Sequence, residues 1–70
     1  MDICKKFGKN IKKYRKKNGI TQEELSNISG LHRNYISDVE LGKRSISLRN
    51  IEVLSISLNV EITCLFKFEE

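Results

Sequence analysis

The stretch Thr21-Gln22-Glu23-Glu24-Leu25 and the Ser29-Gly30 pair after it leave this chain little freedom. Threonine at a helix start with glutamate three residues on forms a capping box, in which two orphan backbone donors are satisfied reciprocally. Glycine adopts the left-handed conformation that ends helices. A start and a stop this close predict a helix of barely two turns. That is shorter than the ~12 residues at which a helix holds by itself in water, so tertiary packing must support it. Ile20 before the cap and Leu25 after it suit a hydrophobic staple. Leu25 and Ile28 are the expected buried positions.

The rest of the chain also runs in helical period. Ile3, Phe7, Ile11 and Tyr14 are spaced i, i+4, i+8, i+11, one face of a helix that Asn18-Gly19 stops. A third segment starts near His32 and runs to about Leu41, with Leu31, Ile36 and Val39 apolar and Gly42 as the stop. A fourth follows Ser47, a good cap, and carries Leu48, Ile51, Leu54 and Leu58; Asn59 can take the left-handed conformation at its end. A fifth, around Glu61 to Phe66, has Ile62, Leu65 and Phe66. The alternation Phe66-Lys67-Phe68-Glu69 leaves both a helix end and an extended tail open. With no proline, repeat or linker, the pattern predicts one compact all-α domain over residues 1–70, built from five short helices.

Composition narrows what such a domain does. Seventy residues bury only about 60% of the surface that the unfolded chain exposes. That leaves no room for a deep catalytic cavity, and a second subunit would add stability. Lys and Arg number 13 against 9 Asp and Glu, a net charge of +4. The excess lies at the front, in Lys5, Lys6, Lys9, Lys12, Lys13, Arg15, Lys16 and Lys17, while acids gather in the tail. The lysines taken alone read as a solvated helix face; a basic small domain as a whole points to a polyanion partner. Cys4 and Cys64 form no CxxC and His32 is the one histidine, so no metal site is expected. The cysteines read as reduced, small buried residues of a cytoplasmic protein. No apolar run is long enough for a membrane. No paired carboxylates, nucleophile–base set or glycine-rich phosphate loop is present, so neither an enzyme, a cofactor nor a small-molecule ligand is expected.

The second and third segments, joined by a turn at Gly30, have the shape of a helix-turn-helix over about residues 21–41, whose second helix enters the major groove of DNA. Leu25, Ile28, Leu31, Ile36 and Val39 supply the inner face. Facing outward are His32, Arg33, Asn34, Tyr35, Ser37 and Asp38. Arginine bonds guanine O6 and N7 in bidentate fashion, and asparagine does the same to adenine N6 and N7. Both stand at the N-terminal end of the third segment, where base edges are reached.

The stretch TQEELSNISGLHRNYISDVELGKRSISLRNIEVL resembles the Cro/C1-type (XRE family) helix-turn-helix regulators. Thr21-Gln22-Glu23-Glu24-Leu25, Gly30, Tyr35-Ile36-Ser37, Glu40, Gly42-Lys43-Arg44 and Leu48 carry the resemblance. The run Arg33-Asn34-Tyr35-Ile36-Ser37 looks most like the controller proteins of restriction-modification systems. The resemblance implies a lambda-repressor-like domain that binds a double-stranded DNA operator as a transcriptional regulator. A phage-type repressor or an antitoxin-like protein-interaction module is the alternative. Base contacts fall to Arg33, Asn34, Tyr35, Ser37 and Asp38; Asp38 either accepts from a cytosine amino group or orients Arg33. Backbone contacts fall to Thr21, Gln22, Lys43, Arg44 and Ser45, with Gln22 also bracing the recognition helix. His32 stands where many relatives have serine; histidine is a weak cap, so it is expected to point at phosphate. Arg15 and Glu40 match a structural ion pair between the first and third helices. The spare apolar residues Ile62, Leu65, Phe66 and Phe68, within the C-terminal segment of about 60–70, are expected to join a symmetric homodimer.

Overall fold

The computed structural model describes residues 2–69. Its elements are α1 (Ile3–Lys17), α2 (Gln22–Ser29), α3 (Arg33–Glu40), α4 (Leu48–Leu58) and a closing 3-10 turn (Ile62–Phe66). The fold is all-helical, with no strand among the described residues. The fifth segment is thus a 3-10 turn rather than an α-helix. Its five residues are too few for a regular α-helical ladder, and the tighter i→i+3 pattern takes over, as in Cys64 N–H donating to Glu61 O at 2.9 Å. The tail after it is neither helix nor strand. It is pinned to α1 by the Asn10 amide, whose Nδ2 donates to the carbonyls of Leu65 and Lys67 at 2.9 and 3.0 Å.

Local chemistry sets most boundaries. Asp2 caps α1 by accepting from the backbone N–H of Cys4 and Lys5. Thr21 and Glu24 form both halves of the capping box on α2. Ser47 caps α4 through Asn50 N–H, and Asn59 ends it at φ 56°.

Phe7 and Ile11 of α1, Leu25 of α2, Ile36 and Val39 of α3, Ile51, Leu54 and Leu58 of α4, and Leu65 of the 3-10 turn form a single core. Leu65 is 0% exposed, packed inside the protomer, so it has no surface to offer a second copy and leaves the set of interface residues. Ile28, expected inside, is 57% exposed. Alpha2 instead turns Leu25, Ser26 and Ser29 inward, because the turn beneath needs small hydroxyls: Ser26 Oγ donates to Leu31 O at 2.6 Å, and Ser29 Oγ accepts from Leu31 N at 3.1 Å.

Alpha1 and α3 cross in close contact at Gly8. A Cβ on Gly8 would lie 2.1 Å from Val39 O and 2.9 Å from Glu40 O, so only glycine allows this approach. Next to it, Arg15 Nε donates to Glu40 Oε2 at 2.6 Å and Nη2 to Oε1 at 3.1 Å. The side chains of this pair are only 10% and 3% exposed. Arg15 Nη1 also donates to Ile20 O at 2.9 Å, and Gln22 Nε2 donates to Glu40 Oε1 at 3.1 Å. The hydrogen bond to Glu40 is the main reason the Arg15 guanidinium is held protonated more firmly than usual, against the opposing effect of burial.

Two outcomes follow for stability. Glu40→Gln strands the Arg15 charge in a buried site and is expected to cost about 3–5 kcal/mol; a thermal melt at the wild-type temperature would refute this. Gly8→Ala gains about 1 kcal/mol of helix propensity. It meets backbone carbonyls that cannot move aside, and overpacking of this kind costs about 1–3 kcal/mol. The expected result is a net lowering of the denaturation midpoint, and a rise would show that α1 and α3 separate freely.

Candidate nucleic-acid interface

Two short helices cross here because neither is stable alone. Leu25 of α2 and Ile36 and Val39 of α3 are buried against each other's neighbourhood, and Gly30, at φ 77°, makes the reversal between them. The outward side of α3 is what remains after that packing. Arg33 and Asn34 are exposed at its N-terminal end, and Ser37 and Asp38 are half-buried one turn on.

His32 is the cap of α3. Its Nδ1 accepts from the backbone N–H of Asn34 at 3.0 Å, the role serine plays more often. That corrects the expectation of a ring free of the helix. With Nδ1 as acceptor, the neutral ring carries its proton on Nε2, which remains a donor. Tyr35 is partly a packing residue: its ring lies against the core, and its hydroxyl accepts from Asn50 Nδ2 at 3.0 Å. The Arg44 guanidinium sits 5.4 Å from the Tyr35 ring centre. Asp38 partners Arg44, with Oδ2 3.4 Å from Nε, and does not orient Arg33. The recognition surface is therefore joined to the following loop by a Tyr35–Arg44–Asp38 cluster and to α4 by Asn50. Sequence reasoning missed Asn50; its pairing spans 15 positions and no local pattern signals it.

The flanks are basic and polar. Arg15, Thr21, Gln22, Glu23 and Arg33 line one shallow groove, which brings the starts of α2 and α3 side by side. Thr21 Oγ1 is committed as an acceptor in the capping box and keeps its own proton to donate. Gln22 is held against Glu40. On the other side of α3, Lys43, Arg44 and Ser45 are all exposed in the loop to α4. Gly42 starts this loop at φ 75° with Lys5 packed beneath it: a Cβ there would fall 2.7 Å from Lys5 Cα.

A second surface lies on α4 and the 3-10 turn. Leu48 is 85% and Ile56 72% exposed, with Ile62 at 43% and Phe66 at 40%. Leu48 thus stands outside the core formed by Ile51, Leu54 and Leu58. Phe68 turns the other way. It is half-buried on the α1 side, edge-on to Phe66 at 6.3 Å, with Lys6 Nζ 5.9 Å from its ring centre.

No group of three or more His, Cys, Asp or Glu residues that could hold a metal occurs among the described residues. No helix among them is long and apolar enough to cross a membrane. What the geometry offers is a protruding helix end with one arginine and one asparagine exposed, flanked by donors at two separate places.

Comparison with known proteins gives the same picture. The helix-turn-helix family model matches residues 11–63. Control protein C.SmaI of Serratia marcescens is 40% identical over 62 residues, 89% of this chain and 74% of that one. The crystal structure of the restriction-modification controller protein C.AhdI from Aeromonas hydrophila superposes with a TM-score of 0.87 at 41% identity, covering 90% of this chain and 96% of that one. The controller protein C.Esp1396I, solved as a tetramer with its natural 35 base-pair operator, superposes with a TM-score of 0.85 at 33% identity, covering 94% of this chain and 87% of that one. The chain belongs to the helix-turn-helix family, of the kind found in restriction-modification controller proteins.

Proposed function

We propose that this protein is a sequence-specific, double-stranded-DNA-binding transcriptional regulator of restriction-modification genes, acting in the cytoplasm as a homodimer on a palindromic operator. The observation that carries the reading is the end of α3, where Arg33 and Asn34 stand exposed between two edges that carry donors. The arrangement is that of a lambda-repressor-like domain, with a short 3-10 turn in the place of the fifth helix. Arg33 reads guanine and Asn34 adenine, while Ser37 and the free edge of Tyr35 face neighbouring positions. Asp38 acts through Arg44. Thr21, Gln22 and the His32 Nε2–H hold the phosphate backbone at one edge, and Lys43, Arg44 and Ser45 hold it at the other. That C.Esp1396I, of the same fold, was solved in complex with its operator supports operator binding by this chain.

A single recognition helix reads only a few base pairs, too few to single out one genomic site. Two copies placed about 34 Å apart read a palindrome. The surface best suited to join them is the exposed apolar face of Leu48, Ile56, Ile62 and Phe66. Phe68 borders it through its contact with Phe66.

Arg33→Ala is expected to weaken operator binding by about 1–3 kcal/mol and relax specificity at one position. Lys43→Ala is expected to weaken all duplexes alike and flatten the salt dependence by about one unit per bound protomer. Titration of both variants on specific and random DNA checks this, and equal loss on both for Arg33→Ala would end the base-reading role. Sedimentation at micromolar concentration is expected to show a dimer for the wild type and a monomer for Ile56→Asp. A wild type that stays monomeric, and binds a half-site as tightly as the full palindrome, would end the dimer reading.

A further inference from the structure

We propose that the lysine face of α1 is a second DNA-contacting surface, which holds duplex flanking the sequence read by α3. The inference rests on the DNA-binding reading above and extends it to an element outside the helix-turn-helix.

Alpha1 carries no acid between Ile3 and Lys17. Its buried side is Phe7, Gly8, Asn10, Ile11 and Arg15. At about 100° per residue, Lys5, Lys9, Lys12 and Lys16 fall on the opposite side, spaced i, i+4, i+7, i+11, and all four are exposed. Like charges three and four residues apart repel and weaken a helix. A solvated helix face usually mixes the two signs, and this one does not. Among the described residues only Lys13 of the helix lysines has a carboxylate partner, Glu69 at 2.8 Å. Lys9 lies in the same shallow pocket as Glu69 and feels its charge, while Lys5, Lys12 and Lys16 have no carboxylate partner among the described residues. The row comes at some cost to its own first helix, and a polyanion would relieve it.

Position says which polyanion. At the N-terminal end, Lys5 lies directly under Gly42, the residue before Lys43 and Arg44. At the C-terminal end, Arg15 shares a groove with Thr21, Gln22 and Arg33. Lys12 and Lys16 stand three before and one after Arg15. The row thus runs from one phosphate-facing edge to the other, continuous with both. From Lys5 to Lys16 it is about 16 Å long at 1.5 Å per residue, the length of roughly five base pairs. It offers no apolar anchor, which a protein partner would need at the centre of an interface. A duplex, with one charge per ~1.7 Å of axis, needs none.

The test compares wild type with the triple variant Lys9→Gln, Lys12→Gln, Lys16→Gln. All three side chains are exposed, and a melting temperature unchanged or raised by the relief of repulsion confirms that the variant folds. Binding is followed by fluorescence anisotropy across a salt series on two duplexes. One is the motif selected from random DNA, cut at its ends; the other carries one extra helical turn on each side. On the long duplex the variant is expected to lower the slope of log K against log salt by about 2–3 units per bound protomer, since each phosphate contact contributes about 0.9. On the short duplex the slope is expected to change by less than one unit. An unchanged slope on the long duplex overturns the proposal, and so does an equal drop on both. A wild type that selects no motif from random DNA overturns the DNA-binding reading itself, which is a separate failure.

Discussion

The structure depends on one buried ion pair. Arg15 meets Glu40 through two hydrogen bonds, and Gln22 adds a third to the same carboxylate. This point joins α1, α3 and the first turn of α2, the three pieces whose relative angles decide how the recognition helix is presented. Removing two charges from water is expensive, and the attraction between them repays it only when the geometry is good and other donors complete the site. Here every buried side-chain nitrogen and oxygen among the described residues has a partner. What the pair adds beyond energy is angle. A bidentate contact fixes orientation as apolar packing does not, and it ties α2 and α3, at eight residues each, to the longer α1.

The recognition surface is built on that frame by short polar links. His32 caps α3, Tyr35 reaches Asn50 on α4, and Asp38 takes Arg44 from the following loop. Each link ties a residue near the proposed DNA face to one outside α3. Arg33 and Asn34 are left with exposed side chains, so the groups proposed to read bases are free and their supports are not. The Asp38–Arg44 contact is long and half-exposed, so its strength as an ion pair is small. Its effect is to place a cation over the Tyr35 ring.

The rest of the surface is sorted by chemistry. Alpha1 faces outward with lysine, and α4 and the 3-10 turn face outward with Leu48, Ile56, Ile62 and Phe66. The tail lies between them, with Phe68 under Lys6 and Glu69 against Lys13. These three regions suit different contacts, namely the duplex, a second copy, and the protomer itself.

Local codes made much of this legible in the sequence. The capping box at Thr21, the glycines at 19, 30 and 42, the cap at Ser47 and the left-handed Asn59 act within three or four residues, and the helices start and stop there. The exposure of Arg33 and Asn34 was legible for a related reason: a polar pair at a helix start, off the apolar period, has no packing role to fill. Tertiary structure decided what depends on distant neighbours. Ile28 has the period of a core residue, yet Ser26 and Ser29 take the inner side because the turn at Leu31 needs their hydroxyls. Leu65 reads like Phe66 in the sequence, but one is wholly buried and the other open. The partners of Tyr35, Asp38 and Asn10 lie 6 to 57 positions away along the chain. Periodicity tells which side of a helix is apolar; only the other helices decide how much of that side they cover.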